Sequence, residues 1–129
     1  MRNDFSQAER AQLSRKLAFL LFYTDKIYKA YLLNEKSYMY AMVLYKSNAH
    51  MAKTLRNHIH FLSNEEQSLA ADLLLHLDIW LCLWVAESRL RKPALKDPFV
   101  FENDVRFPRE SADELVRKLR TDQGCGLPT

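Results

Sequence analysis

Six side chains in this chain could hold a metal or move a proton: His50, His58, His60 and His76, with Asp72 and Glu87. If the middle of the chain is a helical hairpin about residue 63, His50 and His76 fall at similar heights. The remaining spacings do not suit a metal. His58 and His60 are two apart and diverge on a helix. Neither the Glu-x-x-His of di-iron bundles nor a His-Glu-x-x-His occurs. His50 projects away from the apolar stripe of its own helix and should face solvent. His76 reads as paired with Asp72, four residues earlier on a polar stripe. We therefore expect no metal and no cofactor.

General acid–base chemistry is the next candidate. Arg56-Asn57-His58-Ile59-His60 places a cation beside two imidazoles. The run is superficially similar to the arginine–histidine motif of the HEPN ribonucleases. That motif has four to six residues between arginine and histidine. Here Arg56 and His60 are separated by three, so no family follows. Nucleophile motifs are absent. The two glycines, Gly124 and Gly126, both sit in the tail, so no glycine-rich phosphate loop can form. The expectation is a protein that is not an enzyme.

Binding chemistry remains. Nineteen Lys and Arg against sixteen Asp and Glu give a net charge of +3, too mild to demand nucleic acid or a membrane. Arg10, Arg15, Lys16, Lys26, Lys29, Lys36, Lys46, Lys53 and Arg56 are spread along the first half. Lys46 and Lys53 share a helix face with His50 and Asn57. Nucleic-acid binding by these faces and the Arg56/His58/His60 cluster is the alternative reading, without helix-turn-helix or zinc signatures. Tyr31, Tyr38 and Tyr45 recur every seven residues. They read as core residues with hydroxyls at the rim, or less simply as a pocket for a small ligand.

The elements that position these residues are helices. Ser-x-x-Glu occurs at Ser6–Glu9, Ser63–Glu66 and Ser111–Glu114, each before an apolar run. In this box the serine oxygen accepts a first-turn N–H and the glutamate returns to the serine N–H. Asn34-Glu35 reads as a fourth start. A chain of 129 residues with 48% hydrophobic side chains and two glycines suits one all-α domain.

Long helices are predicted over 6–33, 34–62 and 63–92. With very short connections they form an up-down-up bundle. Leu13, Leu17, Leu20, Thr24, Ile27 and Tyr31 form the first stripe. Tyr38, Met42, Tyr45, Ala49, Ala52 and Ile59 form the second. Residues 93–110 read as an irregular aromatic strap carrying Phe99, Phe101 and Phe107. A short helix over 111–121 follows, with Asp113–Arg117 and Glu114–Lys118 pairs. The domain is 1–122, and 123–129 is a disordered tail. Cys82 reads as a buried thiol and Cys125 as an incidental tail thiol. No leader is visible. Asp72, His76 and Asp78 interrupt the apolar run 69–86, which argues against a membrane span. The chain reads as soluble and cytoplasmic.

The third helix is too apolar for a bundle helix. Ala70, Leu73, Leu77, Leu81 and Trp84 make one seam. Leu75, Ile79, Cys82 and Ala86 make a second, at steps of four, three and four. Phe19 and Phe22 point away from the stripe of the first helix. These six residues, Leu75, Ile79, Cys82, Ala86, Phe19 and Phe22, are the candidate partner-binding set. A homodimer or a dedicated protein partner is expected to cover them, unless the strap and last helix do so. The expected function is a protein–protein interaction module: a small adaptor, regulator or immunity-type protein.

Overall fold

A computed structural model describes residues 7–100 and 107–123, with side chains as far as residue 120. The fold is all-α. Among the described residues there are four helices, α1 (Gln7–Leu33), α2 (Tyr38–His58), α3 (Asn64–Arg91) and α4 (Arg109–Gln123), with a 3-10 turn, Ile59–Phe61, between α2 and α3. No strand occurs among the described residues; Ser37 and Pro98 form an isolated bridge.

The helices pack in a ring. α1 lies against α2, α2 against α3, α3 against α4, and α4 against α1. α1 and α3 do not approach each other closely through their backbones. Contacts show the relative directions. Arg56 and Tyr38 of α2 meet Asp78 and Ser88 of α3, so these two run antiparallel. Asp25 and Ser14 of α1 meet Arg109 and Val116 of α4, which also run antiparallel.

The core follows from apolar periodicity. Leu13, Leu17, Leu20 and Ile27 are buried as the first stripe requires, and Leu21 joins them. Ala70, Leu73, Leu77 and Trp84 bury the first seam of α3. α4 supplies Ala112, Leu115, Val116 and Leu119. Removing that much apolar surface from water is the principal stabilising term. A second cluster, at the other end, is aromatic. Phe99 is fully buried against Tyr38 and Trp84, and Tyr45 stacks on Trp84 with centroids 4.3 Å apart. The Tyr31 hydroxyl donates to the Phe99 carbonyl, and the Tyr38 and Ser88 hydroxyls are 2.6 Å apart. Tyr31 and Tyr38 are therefore half-buried aromatic residues with bonded hydroxyls, and Tyr45 joins them by stacking.

The predicted stripe of the second helix is rotated from the observed one. Ala41, Leu44, Met51, Ala52 and Leu55 face the core, while Tyr38, Met42 and Tyr45 are half-buried around Trp84. Ser47, Asn48 and Thr54 are buried among the core positions and break up their apolar pattern.

Of the serine boxes, Ser63 forms its cap in full. Its hydroxyl accepts from Glu66 N–H at 3.2 Å, and Glu66 Oε1 accepts from Ser63 N–H at 3.0 Å. Ser6 lies outside the described residues. Ser111 is not a cap. α4 starts two residues earlier, the Pro108 carbonyl accepts from Ala112, and the Ser111 hydroxyl donates to Asp72. The ion pairs of α4 also differ from those expected: Arg109–Asp113, Arg117–Glu114 and, to α3, Lys118–Glu65.

Asn34-Glu35 does not start α2. Glu35 and Lys36 both take left-handed backbone, with φ of 60° and 52°. Lys36 N–H returns to the Tyr31 carbonyl, the closing bond of a helix C-terminus. The first turn of α2 is then capped by backbone. Tyr38 N–H donates to the Asp97 carbonyl and Met39 N–H to the Leu95 carbonyl. These bonds satisfy donors that Ser37 leaves open. They also anchor 94–99, and so place Phe99. Phe107 packs on the main core and sets its ring edge-on to His76. Phe101 and the tail from 124 with Cys125 lie outside the described residues.

Candidate interaction surfaces

The two polar edges of α3 hold its neighbours. Asp78 on one edge is bound by Arg56 of α2, and Asp72 on the other accepts from Ser111 of α4. The strip between these edges, away from the core seam, points outward. That strip is the second seam. Leu75 is 63% exposed, Cys82 and Ala86 are exposed, and Ile79 is half-buried. The thiol expected to be buried thus stands on the surface. Leu90 extends the strip toward the C-terminus. Phe99, Phe107 and α4 all lie on other sides of α3. The described intramolecular elements leave the seam uncovered.

α3 is also the one described helix long and apolar enough to cross a membrane, by length and composition. Within the most apolar 18 residues of α3, 28% are buried.

Phe19 and Phe22 stand elsewhere. They are 61% and 59% exposed on α1, which lies diagonally across the ring from α3. Phe19 stacks on Tyr23 with centroids 5.8 Å apart, and the Lys26 ammonium sits 5.2 Å from the Phe22 centroid. The six candidate residues therefore make two separate surfaces. Periodicity assigns a residue to a helix face but does not say which faces of different helices are neighbours.

The histidines do not converge. His50 is exposed beside Phe19 and Tyr23. The His58 ring contacts the Thr54 carbonyl at 2.8 Å, and His60 is exposed in the 3-10 turn. Arg56 is engaged by Asp78. Among the described residues no three His, Cys, Asp or Glu side chains are grouped to hold a metal.

His76 is not paired with Asp72. It is buried, with Nδ1 unpartnered among the described residues. Burial holds its pKa below the ordinary histidine value. It borders a cleft of about 330 Å³ with Tyr28, Asn48, Trp80 and Phe107. A second cleft of about 310 Å³ lies beside Tyr31, Trp84 and Phe99.

Sequence reading missed the ion pair between α1 and α3. Glu66 is fully buried, and Arg10 binds both its oxygens. The only available signal was a charged residue inside a serine box next to an apolar run. No family model, no curated protein and no solved structure matches the chain.

Proposed function

We propose that the protein is a non-enzymatic interaction module, a small cytoplasmic adaptor or regulator that pairs through the outer face of α3 with a second copy of itself. The observation that supports this is the uncovered seam. Leu75, Cys82 and Ala86 remain exposed and Ile79 half-exposed although α4 and Phe99 are each already packed elsewhere. Their steps of four, three and four match the contact stripe of paired helices. Cys82 and Ala86 are small enough to let two backbones approach, while Leu75 and Ile79 supply apolar area. The same face on each copy is self-complementary.

In this reading α1, α2 and α3 form an up-down-up unit. Phe99 and Phe107 are the holding points of an aromatic strap, and α4 closes the ring. The strap and α4 serve the interior and leave the outer face free for association. Sedimentation equilibrium over a range of concentrations tests the reading: a dimer is expected, and a monomer at every concentration overturns it.

A further inference from the structure

A different surface, between α1 and α2, has the chemistry of a second docking site. Its groove, of about 380 Å³, is lined by Lys16, Phe19 and Tyr23 from α1 and Val43, Lys46 and His50 from α2. The walls are apolar and the rims are basic. Lys16 and Lys46 are exposed and, among the described residues, neither is in an ion pair. Lys53 continues the basic rim two turns beyond Lys46 along α2.

Negative charge is scarce around this groove. α2 contains no Asp or Glu. α1 contains two, and one of them, Asp25, is bound by Arg109 of α4. α1 and α2 together hold eight Lys or Arg against Glu9 and Asp25, a balance of +6, or +4 once Arg10 and Arg56 are set against Glu66 and Asp78 of α3, whereas the whole chain carries +3. The positive charge is thus concentrated on the two helices that form the groove.

We propose that the α1–α2 groove binds an acidic amphipathic helix of a partner protein. Apolar side chains of that helix would enter between Phe19, Tyr23 and Val43, and its flanking carboxylates would meet Lys16 and Lys46. Phe19 and Tyr23 are one turn apart on α1, as Val43 and Lys46 are on α2. That spacing accepts anchors at i, i+3 or i+4, and i+7 of an incoming helix. Single-stranded nucleic acid fits less well. The Phe19 and Tyr23 rings already stack on each other at 5.8 Å, so each has only its outer face left for a base. The site shares no residue with the α3 face and does not depend on it.

The test uses the full chain, isotopically labelled, and a synthetic acidic helix of about 18 residues, long enough to span several turns. The probe carries leucines at helical spacing and glutamates elsewhere. Controls are the same composition scrambled, a version with lysines for glutamates, and a single-stranded thymidine oligonucleotide. The expected result is amide shifts centred on Phe19, Tyr23, Val43 and Lys46 with the acidic helix alone. Affinity should fall about tenfold or more in Lys16→Glu/Lys46→Glu, with circular dichroism unchanged, and should weaken with salt. No shift with the acidic helix overturns the proposal. Equal shifts with the scrambled peptide, or tighter binding of the oligonucleotide at these residues, also overturn it.

Discussion

Arg10 of α1 grips the Glu66 carboxylate, and the same carboxylate closes the cap of α3. Oε1 accepts from Arg10 Nη1 at 3.1 Å and from Ser63 N–H at 3.0 Å. One fully buried acid therefore fixes where α3 begins and ties it to a helix that its backbone does not touch. The two roles separate by mutation. Ser63→Ala removes only the hydroxyl acceptor and should cost about 1 kcal/mol. Glu66→Ala removes a fully buried carboxylate that serves both the Arg10 contact and the cap, and should cost about 3 kcal/mol or more. Denaturant unfolding of both variants measures the difference. Equal losses would show that the Arg10 pair adds nothing.

His76 makes stability depend on pH. Its folded pKa lies below the ordinary value because burial penalises the charged ring. The unfolded chain therefore takes up this proton more readily, and unfolding is favoured as pH falls below about 6.5. The contribution is fully present above that value and is lost progressively below it. His76→Gln should flatten this part of the stability profile between pH 5 and 7, an interval of about two units around the ordinary histidine pKa. An unchanged slope in the variant would place the pH dependence elsewhere.

The C-terminal segment is core. Phe99, Ala112, Leu115 and Leu119 are all fully buried. Truncation after Pro93 should leave a chain that binds hydrophobic dye, aggregates and loses cooperative unfolding. A truncated form that stays soluble, equally stable and free of dye binding would contradict this.

The legible parts of this fold were those written in local chemistry. The Ser63 box marked the start of α3 because both of its partners lie within one turn. The Leu13–Ile27 and Ala70–Trp84 stripes were readable because few polar residues interrupt them. The start of α2 was hidden, because backbone carbonyls of Leu95 and Asp97 cap it from far along the chain. The stripe of α2 was misread because Ser47 and Asn48 are buried within it, Ser47 in contact with Thr24 at 2.6 Å. The candidate set was readable as surplus apolar surface. Its division into an α3 face and an α1 face depends on the ring order of the helices, which periodicity within a helix does not contain.

Cys82 offers a direct probe of the α3 face. It sits in the middle of the seam with its thiol exposed. In a Cys125→Ser background, a short bis-maleimide should link two copies through Cys82 at low protein concentration. Modification without linkage would mean that the two seams do not face each other.

The central claim is tested most directly by sedimentation of Ile79→Lys beside the wild type, with circular dichroism as the folding control. The substitution would bury two unpaired charges about a two-fold axis, a cost of several kcal/mol, roughly three or more. A dimeric wild type and a monomeric, fully helical variant are predicted. A wild type that is monomeric at high concentration, or a variant that unfolds, would contradict the account.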